Sequence, residues 1–240
     1  MLVEVCANSL ESALVAERAG ADRIELCSEL AVGGITPSYG LLKAVMEQLS
    51  IPVHVLIRPR SGDFSYSNEE FEIMLTDIHS CIDLGVKGIV AGVLQKDFKL
   101  DEERTSILIA ASGDLKFTFH RAFDWVKDPM ETMKLLESMG VDSILSSGQQ
   151  EKAIDGIDVL KELHDNTSLI QIMPGSGVNK NNVNVFKEAG FTAVHLSGTT
   201  MIKKLQRQPK VSMNSSSFLS DDHYPVTQLN AILDVVGKVK

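Results

Sequence analysis

Ala21-Asp22-Arg23-Ile24-Glu25-Leu26-Cys27 decides the fold, because it repeats the pattern of an earlier stretch, Leu2-Val3-Glu4-Val5-Cys6. In both, aliphatic side chains alternate with a glutamate and a cysteine, which is the period of two of a β-strand. The glutamate and cysteine of each stretch are therefore expected on one face of a sheet. The aliphatic residues are expected on the opposite face, toward a layer of helices. Gly20, just before the second stretch, is typical of the end of a helix.

The same strand and helix unit recurs outward from this stretch. Amphipathic helical patterns separate eight predicted strands, at residues 2–6, 23–27, 53–58, 88–93, 116–121, 143–146, 169–173 and 193–197. Strands that alternate with helices at intervals of about 20 to 35 residues indicate a parallel sheet with right-handed crossovers. Eight such units predict an α/β fold, a (β/α)8 TIM-like barrel forming a single domain over residues 1–240. A doubly wound sheet is the alternative.

Residues 201–224 interrupt this rhythm. Basic residues at its start are followed by Ser215, Ser216 and Ser217. A loop of this length is uncommon unless it is functional or mobile. The pattern predicts a mobile surface arm that leads to a final helix around 226–236. A role in a homodimer contact, or in covering the mouth of the barrel, is the alternative.

Composition excludes several classes of protein. A hydrophobic content of 44% separates the chain from disordered proteins, and three cysteines in 240 residues are too few for a disulfide scaffold. A formal net charge of −9 disfavours nucleic acid as a partner. No apolar run approaches the roughly 20 residues that cross a bilayer. The chain opens on a strand-like run rather than a secretory signal, so we expect a cytoplasmic protein.

Polar side chains gather at the predicted carboxyl ends of the strands, where a parallel barrel carries its chemistry. A histidine near a carboxylate is typical of proton transfer, although a single histidine is more often a hydrogen-bonded core residue. Buried polar groups are costly without partners, so their accumulation at one mouth predicts a site. The candidate catalytic residues are Glu25, His54, Arg58, His120, Arg121, Asp124 and His195.

Glycine-containing segments follow predicted strands seven and eight. In this fold, backbone N–H groups at these places often bind a phosphate. The alternative is that the glycines only turn the chain. The candidate anion-binding residues are Gly175, Gly177, Ser197 and Gly198, with Arg58 and Arg60 supplying positive charge. A small phosphorylated or carboxylated metabolite is the ligand that such a mouth would take, and the protein would then be an enzyme of unspecified reaction.

The chain resembles the CutC family of copper homeostasis proteins. Besides the two opening strands, the resemblance rests on Gly33-Gly34-Ile35-Thr36-Pro37-Ser38, Ile57-Arg58-Pro59-Arg60-Ser61-Gly62-Asp63-Phe64, Thr118-Phe119-His120-Arg121-Ala122-Phe123-Asp124 and Met173-Pro174-Gly175-Ser176-Gly177. It implies a TIM-like barrel, a cytoplasmic location and a role in copper tolerance, but no settled catalytic activity. Two departures concern the anion site: Ser176 stands where the family usually has the middle of three glycines, and Gln149 stands where it usually has a glycine.

The resemblance places a copper site on Cys6 and Cys27, with copper(I) as the implied ion. Soft thiolates suit Cu(I), which accepts low coordination numbers. The residues alone leave another interpretation open, in which both cysteines pack as small buried hydrophobes. Cys81 lies in a helical pattern and is expected in the core. Metal binding and enzymatic chemistry on a small anion are thus the two functional hypotheses.

Overall fold

Eight parallel strands surround a central axis in a computed structural model, with helices packed outside them. The structure describes residues 1–207, 209–213 and 221–240. The barrel strands are β1 (Leu2–Ala7), β2 (Arg23–Leu26), β3 (Val53–Leu56), β4 (Gly88–Ala91), β5 (Lys116–Phe119), β6 (Ser143–Ser146), β7 (Gln171–Pro174) and β8 (Ala193–Leu196). The helices are α1 (Leu10–Arg18), α2 (Tyr39–Met46), α3 (Asn68–Asp83), α4 (Glu102–Ser112), α5 (Pro129–Ser138), α6 (Ile157–Asp165), α7 (Val183–Glu188) and α8 (Leu229–Val239).

The strand order closes the sheet into a barrel. Each strand from β1 to β6 is hydrogen-bonded to the next along the chain, and β1 is also paired with β8, so β7 and β8 are the two ends of the sheet. β7 and β8 lie side by side, where Gln171 Nε2 donates to Thr192 Oγ1 at 3.1 Å. The prediction of a nearly closed (β/α)8 TIM-like fold is confirmed. No helix among the described residues is long and apolar enough to cross a membrane.

The two faces of the strands separate as the alternation predicts. Val3, Val5, Ile24 and Leu26 are buried and belong to the large apolar core between the sheet and the helices. The inward face carries smaller apolar clusters, one of Cys6, Cys27, Leu56 and Val90 and another of Leu145, Met173 and Ala193. Polar residues occupy most of the remaining inward positions, so the functional groups lie inside the barrel.

Helix boundaries follow local sequence signals. Gly20, Gly85, Gly140 and Gly190 end helices with φ between 78° and 88°, a left-handed conformation that glycine adopts without steric cost. Ser67 begins α3 with a capping box, in which its hydroxyl accepts from the backbone N–H of the residue three positions later. These signals fix where each helix turns back toward the next strand.

The predicted arm at 201–224 is described in part. Residue 208 and residues 214–220, which include Ser215 to Ser217, lie outside the described residues. The two ends of the arm belong to an antiparallel hairpin of β9 (Thr199–Lys203) and β10 (His223–Thr227). The first and last residues of the predicted arm therefore pair with each other in a two-stranded sheet. The final helix starts at Leu229, a few residues later than expected, because the second hairpin strand extends to Thr227.

Two glycines on β4 and just after it make room for buried histidines. A Cβ atom on Gly88 would lie 2.6 Å from Cε1 and Nδ1 of His54, and one on Gly92 would lie 2.7 Å from the same atoms of His120. His54 and His120 are 3% and 5% exposed. The absence of side chains at Gly88 and Gly92 is therefore what leaves room for these two imidazole rings inside the barrel.

Replacing Gly88→Ala should destabilise the protein by about 1–3 kcal/mol, because the new methyl group overlaps the His54 ring in a packed interior. Gly237→Ala is the matched control, since nothing lies within 4 Å of its Cβ position and it stands inside α8. That control should stabilise the protein by up to about 1 kcal/mol. Chemical denaturation measures the free energy of unfolding of both variants. Equal changes in the two would contradict a steric overlap between the new methyl group and the His54 ring.

Candidate metal and ligand site at the barrel mouth

An ion pair around a fully buried carboxylate forms the centre of the barrel interior. Glu4 on β1 is 0% exposed and accepts hydrogen bonds from Arg23 Nε on β2 and from His195 Nδ1 on β8, the latter at 2.8 Å. Burial would raise the pKa of Glu4, but the His195 hydrogen bond and the Arg23 charge outweigh it and lower the pKa to about 2. Glu4 is therefore an ionised anchor that holds the His195 ring in place.

A second carboxylate lies toward the mouth, beside two thiols. Cys6 Sγ lies 3.5 Å from Cys27 Sγ and 3.7 Å from Glu25 Oε1. Burial, together with the nearby charge of Glu4, raises the pKa of Glu25 to about 7 even though His195 opposes the shift. The hydrogen bond with Cys27 and burial hold the pKa of the Cys6 thiol well above its usual range. The sequence predicts that Cys6, Cys27 and Glu25 lie on one face of the sheet, and in the structure they are also in contact.

Three of these groups are close enough to share a metal ion. Ligand atoms of Cys6, Glu25 and His195 all lie within 4.8 Å of one another, and all three residues are buried. Burial lowers the pKa of His195, but the charge of Glu25 and the hydrogen bond with Glu4 outweigh it, so the pKa is raised. Nδ1 of His195 already contacts Glu4. Cys6 is a predicted metal ligand, whereas Glu25 and His195 are predicted catalytic residues, and the structure places the three in one cluster.

A cavity of about 730 Å³ opens above this cluster. Of the candidate residues, the structure brings to its wall Cys6, Glu25, Arg58, His120, Arg121, Gly177, His195, Ser197 and Gly198. Gly175 instead packs against Leu145, whose Cδ1 would lie 2.4 Å from a Cβ on the glycine. A cavity of this size fits a small organic ligand.

The two predicted anion-binding arginines have different positions. Arg58 is buried, and its guanidinium donates at 2.8 Å to the backbone carbonyls of Val32, Gly34 and Gly62. It therefore ties the loops after β2 and β3 together while lining the cavity. Arg60 is not among the residues of the cavity wall; its Nε donates to Glu70 at the start of α3.

Asp124 and His54 also lie away from the cavity wall. Asp124 accepts from Arg121 Nε at 2.8 Å and from Ser146 Oγ at 2.6 Å, so it orients Arg121 at the rim. His54 lies deeper in the barrel, beside Gly88. Burial lowers the pKa of His54 to about 4, so the imidazole is neutral near pH 7.

Sequence reasoning missed Arg23, Phe64 and Trp125 as parts of the site. Arg23 was assigned to a strand without a role, although its alternation with Glu25 places it on the inward face. Phe64 lies in the loop after β3, and Trp125 ends a short 3-10 helix (Arg121–Trp125) after β5. Their rings pack edge to face with centroids 4.9 Å apart, and both line the cavity. The signal available in the sequence was that both aromatic residues closely follow predicted strands.

The fold and site define a parallel barrel with a buried cluster of thiol, carboxylate and imidazole groups at its mouth. The sequence profile of the CutC family matches residues 1–200. A family protein CutC from Photorhabdus laumondii subsp. laumondii is 43% identical over 93% of this chain and 92% of its own length. Another, from Salmonella typhimurium strain LT2, is 43% identical over 93% of this chain and 90% of its own.

A solved structure supports the same relationship. The CutC protein of Streptococcus agalactiae, described with a provisional role in copper homeostasis, is 34% identical and superposes with a TM-score of 0.78. The match covers 82% of this chain and 98% of that one. The chain therefore belongs to the CutC family, as the sequence motifs indicated.

The neutral state of His54 makes stability depend on pH. The unfolded imidazole takes up a proton below about pH 6.5, whereas the folded one does so only near pH 4. His54 thus contributes a loss of stability as pH falls from 6.5 to 4, up to about 3 kcal/mol. We expect His54→Gln to remove this dependence, so the stability of wild type relative to the variant declines over that interval.

Denaturant titrations of wild type and His54→Gln at several pH values measure this difference. The comparison cancels the opposite contribution of Glu25, which gains stability as pH falls from 7 because its folded pKa is raised. His79→Gln on the exposed face of α3 is the control and should run parallel to wild type. A His54→Gln curve that also runs parallel to wild type would contradict a neutral His54.

Proposed function

We propose that the protein binds Cu(I) in the cytoplasm through the thiolates of Cys6 and Cys27. The observation that carries the proposal is the 3.5 Å distance between the two sulfur atoms. Both cysteines are free, and they end neighbouring strands on the same inward face. Membership of a family named for copper homeostasis agrees with this assignment.

The distance fits two sulfur ligands to one ion. Metal–thiolate bonds are roughly 2.3 Å long, as for zinc, so two sulfurs 3.5 Å apart reach the same ion with a bent angle of about 100°. Cu(I) prefers soft sulfur ligands and accepts two or three of them. A bent pair leaves room for a third donor, and Glu25 and His195 lie beside Cys6.

Access to the pair comes from the cavity. Cys6 lines the cavity wall and is 7% exposed, whereas Cys27 is 0% exposed behind it. An ion arriving from the mouth therefore meets Cys6 first. The proposed cytoplasmic location agrees with two free thiols at this distance, because sulfurs this close would be at risk of oxidation in an oxidising compartment.

Cys27→Ser should abolish tight, stoichiometric Cu(I) uptake, because a hydroxyl is a poor ligand for a soft ion. Cys81→Ser is the matched control, since it makes the same change in a buried cysteine on α3 and should leave uptake unchanged. Anaerobic competition against a coloured Cu(I) chelator measures both. Full affinity in Cys27→Ser, with a melting temperature near that of wild type, would exclude the thiol pair as the site.

Cu(I) affinity should increase with pH. The thiol of Cys6 is protonated at neutral pH because its pKa is raised, so an ion that binds the thiolate must displace that proton. The apparent dissociation constant should fall about tenfold per pH unit for each proton displaced. Chelator competition at pH 6, 7 and 8 measures the slope. An affinity independent of pH would mean that the thiolate of Cys6 is not a ligand.

A further inference from the structure

The cavity wall carries three buried polar atoms whose hydrogen-bonding capacity is unused. Glu25 Oε2, Arg58 Nε and His120 Nε2 have no hydrogen-bond partner among the described residues. All three residues are at most 5% exposed, and all three line the cavity. Unpartnered polar atoms are costly in a protein interior, and a bound ligand is one way in which they are satisfied. The thiol pair does not use Arg58 or His120.

His120 offers the cavity a hydrogen-bond donor. Its Nδ1 accepts from the backbone N–H of Ala122 at 3.2 Å, so the ring hydrogen of the neutral form is on Nε2. Burial and the charge of Arg58 lower the pKa of His120 to about 3, which keeps the ring neutral. The Nε2–H group therefore suits a hydroxyl, carbonyl or ester oxygen of a ligand.

The opposite side of the cavity has the features of an anion site. Gly177 and Gly198 line the wall after β7 and β8, and their backbone N–H groups have no acceptor within the described part of the chain. α8 begins beside them, because the N–H of Gln228 donates to the carbonyl of Gly198 at 2.9 Å. The Gln228 side chain does not cap this helix, and the N–H groups of Leu229 and Asn230 have no acceptor within the described part of the chain, whereas that of Ala231 donates to the carbonyl of Gln228 at 3.1 Å. Free N–H groups at a helix start favour a phosphate.

Between these two ends the wall is apolar. Phe64 and Trp125 contribute aromatic faces, and Leu30, Leu56 and Val178 contribute aliphatic surface. Trp125 is 46% exposed, which is high for a tryptophan on a cavity wall. A ligand that fills about 730 Å³ here would stack a compact organic body on this wall.

We propose that the cavity binds a small organic phosphate monoester, with the phosphate at Gly177, Gly198 and the start of α8 and the organic part against Phe64, Trp125 and His120. This site is separate from the thiol pair in its ligand atoms, and it does not depend on the Cu(I) proposal. It keeps the anion at the loops after β7 and β8, where the sequence predicts it, and adds the start of α8. It leaves out Arg58, because the Nη1 and Nη2 atoms of its guanidinium are already bonded to three carbonyls.

Ala231 provides the test, because its side chain lies on the cavity wall in the first turn of α8. Ala231→Glu adds a negative charge beside the phosphate position, and Ala231→Gln adds a neutral side chain of the same size. We expect phenyl phosphate to bind the copper-free, full-length protein saturably. It should bind the glutamate variant at least about tenfold more weakly than the glutamine variant, because like charges repel. Calorimetric titration measures each affinity.

Inorganic phosphate and phenol serve as partial ligands in the same titrations. Both should bind more weakly than phenyl phosphate, since each lacks one of the two contacts. Absence of saturation by phenyl phosphate at about 10 mM, or equal affinity for the two Ala231 variants, would overturn the proposal. Inorganic phosphate binding as tightly as phenyl phosphate would also overturn it, because the apolar wall would then take no part.

A second variant guards against disruption of α8. Asn179→Asp places a negative charge on the exposed loop after β7, at another position on the cavity wall. It should weaken phenyl phosphate binding in the same direction, while ligand-free melting temperatures show whether each variant is folded. Cu(I) uptake measured on the same variants reports on the thiol pair separately, so failure of one proposal is distinguishable from failure of the other.

Discussion

The ionised carboxylate of Glu4 is the constraint on which the barrel interior depends. A charge that is 0% exposed is tolerable only when it is paired and hydrogen-bonded. Arg23 on β2 and His195 on β8 both pair with Glu4 and donate hydrogen bonds to it. Glu4 on β1 therefore connects its own strand to both neighbouring strands. The negative charge of Glu4 also acts on Glu25. Together with burial it raises the pKa of Glu25, and so favours a protonated carboxyl beside the thiols.

Space for these polar groups comes from residues that carry no side chain. Gly88 lies against His54 and Gly92 lies against His120, so these two positions contribute volume rather than chemistry. Leu145 on β6, Met173 on β7 and Ala193 on β8 form an apolar patch in the interior. The buried ionisable groups Glu4, Glu25, His54 and His195 lie on β1, β2, β3 and β8, so the interior is asymmetric. Burial in this half of the barrel raises the pKa of Glu25 and lowers the pKa of His54.

The sequence was sufficient for the fold and for the direction in which most site residues point. Strand alternation put Glu25 and Cys27 on one face, and eight strand-like runs separated by helical patterns predicted the eight units of the barrel. The sequence could not assign the hydrogen-bond partners of these side chains, because the register between neighbouring strands decides which residues face each other. Arg23 pairs with Glu4 only because residue 4 stands opposite residue 23, and that offset is set by the stagger of the closed barrel. The position of Arg60 was similarly beyond prediction, since a capping glutamate of α3, Glu70, holds its guanidinium.

The two ligand chemistries at the mouth are compatible because they use different kinds of atoms. Thiolates bind soft ions and have little affinity for phosphate, whereas backbone N–H groups bind hard anions and have none for Cu(I). Cys6 and Cys27 lie at β1 and β2, while Gly177 and Gly198 follow β7 and β8, so the proposed sites occupy adjoining parts of the barrel mouth, because β8 pairs with β1. His195 lies next to both groups. It follows that occupation of one site changes the electrostatic field of the other, since the raised pKa of His195 depends on the charges of Glu25 and Glu4 around it.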